Sequence, residues 1–280
     1  MKEVKTFHSG VEKMKLVEFD SLLDFYNYIN NTPINNTFEH RKYDLASKKN
    51  NKNGWSGTNS YEEAVELFKN GWTLGAQDLT KKLKVAETDK QVQMAAKNIL
   101  SMCGYQAIVP LYLNGVPNNM VNKRMVPIKQ KVITINKALS ASAAVSSQTL
   151  MNESVKCFQI IKKIESTGVR VNLNLMISTG HVVVKIRLKS STEKLNISKL
   201  AFPLVHTSMF RRLYFRFIEV YPTIPANYRW GYGRVPSEDE FRKACNKGEV
   251  LLPTLLRCGN ESELQTLTVD ELIAKFGKKE

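Results

Sequence analysis

The sequence predicts an α/β fold in which a mostly parallel sheet with a hairpin at its edge is preceded by a smaller helical N-terminal region. Three observations carry this. VITIN at 132–136 is a β-branched run bounded by polar chain, the mark of a buried strand. Residues 149–166 place Met151, Val155, Phe158, Ile161 and Ile164 at helical spacing and then return to another β-branched run, which makes a βαβ crossover. Residues 169–177 and 182–189 alternate apolar and polar side chains on either side of the short turn STGH, so they pair as an antiparallel hairpin. Each hairpin strand has one polar face. That places the hairpin at the sheet edge, with Arg170, Lys185 and Arg187 together on its outer side.

Taken in order, KLVEF (15–19) reads as a short strand, followed by a helix that Asp20 or Ser21 caps and whose apolar side is Leu22, Leu23, Phe25, Tyr26 and Ile29. From Asn30 to Asn59 the chain turns to Asn, Lys, Ser and Gly, a loop or linker composition. Ser60 and Glu63 form a capping box for a helix that Asn70-Gly71 stops. Trp55 and Trp72 bracket it, either packing on its apolar side or forming a platform for bases. A second helical stretch is expected over 79–104, and the Pro- and Gly-containing 105–121 is a bridge.

After the hairpin, a helix is expected beyond Pro203, capped by Thr207 or Ser208, with Met209, Phe210, Leu213, Tyr214 and Phe217 inward and Arg211, Arg212 and Arg216 projecting. Residues 223–241 form an aromatic, Gly- and Pro-rich loop around GYG. A helix follows at 237–248, an edge strand at 250–256 and a last helix at 268–277. The domain boundaries implied are 1–52 (strand, helix and linker), 53–125 (helical) and 126–280 (α/β).

Composition narrows the function. The formal charge is +15, and from Met120 to Ser190 twelve Lys and Arg face only Glu153 and Glu165. Such a field attracts polyanions, although a lysine-rich solvated surface gives the same excess. No apolar run approaches the ~18–20 residues of a membrane helix and no secretory segment opens the chain, so a cytoplasmic location without membrane contact is expected. Cys103, Cys157, Cys245 and Cys258 lack metal-ligand spacing and read as buried, inert thiols.

The order strand, Ser-rich loop, helix, hairpin resembles the von Willebrand factor A domain, a Rossmann-like fold. The segments NGWSGTNSYEEAVELFKNGW (53–72) and AFPLVHTSMFRRLYFRFIE (201–219) resemble an uncharacterised bacteriophage protein family whose C-terminal half is similar to that domain; the resemblance spans roughly 53–220. It implies a divalent cation held by an Asp-x-Ser-x-Ser loop at the end of the first strand. Here Asn136 stands in the Asp position and the nearest hydroxyls are Ser140 and Ser142, so the anionic ligand is missing. No metal or cofactor is expected. The loop lies where α/β sheets bind ligands, and Lys137 beside it favours an anion.

The expected function is a non-catalytic interaction module that binds nucleic acid or an acidic protein surface through Lys137, Ser140, Ser142, Arg170, Lys185, Arg187, Arg211, Arg212 and Arg216. A virion structural or assembly role is the alternative that follows from the phage resemblance. Enzymatic chemistry has little to stand on, since neither His181 nor His206 has a nucleophile and carboxylate in a recognisable order.

Overall fold

The computed structural model describes residues 1–9, 12–34, 56–83, 94–127, 131–140, 142, 145–178, 182–222, 236–252 and 266–277. The chain opens with β1 (Lys2–Ser9) and β2 (Glu12–Phe19) and enters helix α1 (Leu22–Asn31) at Ser21, whose hydroxyl accepts the Asp24 N–H at 3.0 Å. Helices α2 (Tyr61–Asn70) and α3 (Thr73–Leu83) follow. Ser60 accepts from Glu63 N at the start of α2, and the Glu63 carboxylate takes the Asn59 N–H at 2.7 Å, so the predicted capping interaction forms. Gly71 ends α2 at φ +83°, a backbone that glycine adopts without steric cost.

Residues 94–127 form a unit of their own. Strands β3 (Met94–Ser101), β4 (Gln106–Ala107) and β5 (Met120–Pro127) make an antiparallel sheet in the order β3-β5-β4, with the short helix α4 (Val109–Leu113) between β4 and β5. The helix expected over 79–104 is thus corrected. Its described beginning belongs to α3, but MAAKNILS at 94–101 is a strand that pairs residue by residue with β5.

The second half contains β6 (Val132–Ala138), α5 (Ser147–Ser166), β7 (Arg170–Ser178), β8 (Val182–Lys189) and α6 (Ile197–Val205). A π-helical segment, Met209–Tyr214, then runs into α7 (Phe215–Val220). Helix α8 (Glu238–Ala244), β9 (Val250–Leu252) and α9 (Val269–Gly277) complete the described chain. The helix expected beyond Pro203 forms as the run Met209–Val220, with Ser208 at its N-cap position, and α6 precedes it: Asn196 caps α6 by accepting the Lys199 N–H at 3.0 Å, and Pro203 sits inside its last turn. The GYG loop, Trp55, His181 and Cys258 fall outside the described residues.

The main sheet has the order β1-β2-β8-β7-β6-β9. β6 pairs in parallel with both β7 and β9, and β2 pairs in parallel with β8; β1–β2 and β7–β8 are antiparallel. The fold is mixed α/β with a mostly parallel sheet, and the βαβ unit and hairpin form as read. The position of the hairpin is corrected. It lies in the middle of the sheet, because β2 adds alongside β8 with Leu16 opposite Val183 and Phe19 opposite Ile186. The first and third predicted segments therefore share one sheet.

Alternation places Val17, Phe19, Ile135, Leu173 and Ile186 on one face, in a continuous core with Phe158 and Ile161 of α5, Phe202 of α6 and Phe217 of α7. Each such side chain contributes about 1.5–3 kcal/mol on burial. Met14, Leu16, Ala138, Met176 and Val183 face the other way, under Phe241 and Ala244 of α8. The thiols divide: Cys157 is buried, Cys245 half-buried and Cys103 exposed, so burial holds for only one of the described three.

Candidate functional site

The structure does not gather the basic residues singled out from the sequence into one open face. Lys137 lies on the helix-covered side of β6, and its ammonium is 3.0 Å from Glu153 of α5, the two side chains being 1% and 0% exposed. Ser140 Oγ donates to Ser178 O and accepts from Ser178 N, both at 2.7 Å, which ties the serine loop to the end of β7. Ser142 O accepts from Arg211 Nη2 at 3.1 Å, and burial pulls the Arg211 pKa below the ordinary arginine value. Arg216 pairs with Glu219 at 3.3 Å and lies over the Tyr61 ring at 4.7 Å.

Lys185 stands between Glu249 at 2.7 Å and Glu18 at 3.3 Å. Asn136, where a cation loop would need Asp, donates to Glu249 Oε2 at 3.0 Å and accepts from Asn174 at 2.9 Å. Burial pushes Glu249 up, but bonds from Lys185, Asn246 N and Asn136 outweigh it and hold its carboxyl below the ordinary value. This row of polar side chains crosses the middle of the sheet and is paired within the protein, although among the described residues Glu18 Oε1 has only the Lys185 ion pair and no hydrogen bond. Arg170 is half-buried at the start of β7, whereas Arg187 is exposed at the far end of β8.

Arg212 is the centre of a buried joint. Its Nη2 donates to Ser56 Oγ at 3.1 Å and to Thr58 O at 2.8 Å, while Ser208 Oγ donates to Ser56 O at 2.6 Å. The joint seats residues 56–58 on the π-helical segment. Gly57, at φ +80°, passes so close that a Cβ would be 2.3 Å from Thr207 Oγ1.

Of the predicted residues, only Arg187 borders a groove of about 1290 Å³. It opens where the parallel strands β2 and β8 end and α1 begins, the place where open α/β sheets take ligands. Tyr26 of α1 and Phe68 of α2 stack on its wall, ring centres 5.5 Å apart and planes at 17°, with Lys69 Nζ 5.1 Å from the Tyr26 centroid. Trp72 continues the aromatic wall and lies flat over Gly75, where a Cβ would be 2.0 Å from Cε3 of the indole. Lys69, Lys81, Arg187 and Lys199 rim the groove against Asp20 and Glu193. Arg187 is set there by Asp20, whose carbonyl accepts its Nε at 2.9 Å.

His206 supports the wall from behind. Its ring meets Trp72 edge-on at 4.7 Å and stacks on Phe202 at 5.0 Å, and its Nδ1 accepts the Ser208 N–H at 3.2 Å. Burial pulls its pKa from 6.5 to about 4, with the Glu63 charge pushing weakly upward. The imidazole is therefore neutral at pH 7. The unfolded chain takes up this proton first as pH falls below 6.5, so the stability that neutral His206 contributes, roughly 3 kcal/mol, declines from pH 6.5 and is gone by about pH 4. His206→Gln should flatten that part of the urea-denaturation profile relative to the native protein. Parallel profiles would show that His206 is not its source.

A model of one family matches residues 3–280. The chain belongs to the family described as Domain of unknown function (DUF7192). The match takes in the N-terminal strands as well as the 53–220 stretch of the earlier resemblance, in keeping with a sheet that joins both ends of the chain. Comparison with curated proteins and with solved structures gave no match. Among the described residues no three His, Cys, Asp or Glu side chains cluster as a metal site, and no helix is long and apolar enough to cross a membrane.

Within this family member the groove draws on residues the sequence reading left aside. Tyr26 reads from the sequence as part of an apolar helix face, and Lys69, Lys81 and Lys199 belong to no motif. Trp72 alone carried a signal, as one of the two bracketing indoles.

Proposed function

We propose that this protein is a non-catalytic binding module that takes single-stranded nucleic acid in the groove at the ends of β2 and β8. The observation that carries the reading is the aromatic wall of Tyr26, Phe68 and Trp72 beneath a rim of Lys69, Lys81, Arg187 and Lys199. Unpaired bases stack on aromatic faces and phosphates seek the cations, a combination that does not depend on base identity. The net charge of +15 adds long-range attraction. An acidic protein surface would use the rim but leave the aromatic wall without a role.

The strand order β8-β7-β6-β9, with the crossover α5 between β6 and β7, supports kinship with the von Willebrand A fold, and the two strings of the phage resemblance meet in the Arg212 joint. A role inside a phage-infected cell goes with that kinship.

Fluorescence anisotropy of labelled oligo-dT and oligo-rU against salt tests the reading. Four cations engaging four phosphates predict a slope of log K against log salt near −3, from about −0.7 per phosphate on single strands. Lys69→Glu/Lys81→Glu should reduce the slope to about half and weaken binding at least tenfold. Absence of binding at low salt, or a variant that binds like the native protein, would refute the groove.

A further inference from the structure

The 94–127 unit stands outside the core. No residue from 97 to 124 is buried, and none belongs to a core cluster. The stretch is nonetheless apolar: Met102 is 73%, Tyr112 67% and Leu113 76% exposed, with Tyr105 and Val109 also in water. Apolar side chains concentrated in solvent mark an interaction surface.

Helix α4 narrows what covers it. Its sequence is VPLYL, with Val109, Pro110, Tyr112 and Leu113 exposed and Leu111 half-buried. Five consecutive apolar residues point around the whole helix, not to one side. A helix that is apolar all round has no face suited to water and is expected to be buried on every side, in a protein or in lipid.

Charge narrows it again. From Met94 to Pro127 there are three cations, Lys97, Lys123 and Arg124, and no Asp or Glu. Lys97 lies directly opposite Arg124 in the β3–β5 ladder, an arrangement that repels. Among the described residues none of the three forms an ion pair. A second copy of the chain would bring the same cations and a further +15, so charge opposes it. An anionic surface relieves the repulsion. Tyr105, with Lys123 Nζ 5.3 Å from its ring, and Tyr112 are the amphipathic rings that settle at a lipid–water boundary.

We infer that the 94–127 unit docks the protein on an anionic lipid surface. Helix α4 and Met102 enter the headgroup boundary, and Lys97, Lys123 and Arg124 meet the lipid phosphates. No spanning segment is needed for such contact.

Co-flotation of the full chain with vesicles of phosphatidylcholine alone, and of phosphatidylcholine mixed equally with phosphatidylglycerol, tests this. The protein should float with the phosphatidylglycerol vesicles at low salt. Tyr112→Ser/Leu113→Ser should bind them about tenfold more weakly or worse, with an unchanged far-UV circular dichroism spectrum. Lys69→Glu/Lys81→Glu should still float, which separates this surface from the nucleic-acid groove. The proposal is overturned by failure to float with either vesicle, or by flotation that the Tyr112/Leu113 variant leaves intact. Self-association without vesicles that this variant abolishes would assign the surface to a second copy and also overturn it.

Discussion

Lys137→Met should lower folding stability by about 3–5 kcal/mol, the cost of leaving one member of a buried ion pair without the other. Glu153 is 0% exposed and its Oε2 lies 3.0 Å from Lys137 Nζ, inside the contact between β6 and α5. Methionine replaces the stem of the lysine but not its charge, so the carboxylate must lose its ammonium or take up a proton. Adding Glu153→Met removes the second charge as well. The double variant is expected to recover most of the loss, since a buried pair exchanged for apolar side chains of similar volume is often neutral or stabilising. Urea denaturation of the native protein, both single variants and the double variant checks the cycle. Additive losses would mean that the two groups do not act as a pair.

Gly57→Ala is the second large effect, at roughly 2–4 kcal/mol. Part of the cost is local, because φ +80° disfavours any side chain, by about 1 kcal/mol. The rest is collision: the new methyl meets Thr207 Oγ1 at 2.3 Å, His206 Cε1 at 3.0 Å and Ser208 Oγ at 3.2 Å. These atoms belong to short or ring side chains in the buried joint and have little room to withdraw. Shortening Thr207 to alanine in the Gly57→Ala background should return the steric part and leave the backbone part, restoring about half the loss in urea midpoint. A Gly57→Ala protein as stable as the native one would show that residues 56–58 do not sit against the π-helical segment.

The βαβ unit and the hairpin were legible because two periodicities agreed with burial. Val171, Leu173, Leu175 and Ile177 alternate, while Phe158, Ile161 and Ile164 repeat helically, and both sets enter one core. The place of the hairpin in the sheet was not legible. Its polar face looked solvated, but Lys185 finds Glu249 from a loop 64 residues away and Asn174 finds Asn136, pairings that no local pattern announces. The strand that covers its edge is β2, from the opposite end of the chain; KLVEF at 15–19 is legible as a strand, but nothing local says that it pairs with Val182–Ile186.

Basic residues misled for the same reason. A lysine on a strand is read as water-facing, yet Lys137 and Lys185 are each drawn inside by a carboxylate from another element. The helix expected over 79–104 failed at its second half because Ala95 and Ile99 keep helical i, i+4 spacing in a stretch that pairs with β5 as a strand. The groove was invisible to motif reading. Tyr26, Phe68, Trp72 and Lys199 come from separate elements, and only the packing of α1, α2, α3 and α6 brings them together.

Photo-cross-linking of a thymidine-rich oligonucleotide that carries 5-bromouracil, followed by peptide mapping, tests the groove most directly. Adducts are expected on the peptides containing Tyr26, Phe68 and Trp72, and high salt should suppress them. Adducts confined to residues 170–189, or to the Arg211, Arg212 and Arg216 segment, would contradict the assignment of the site.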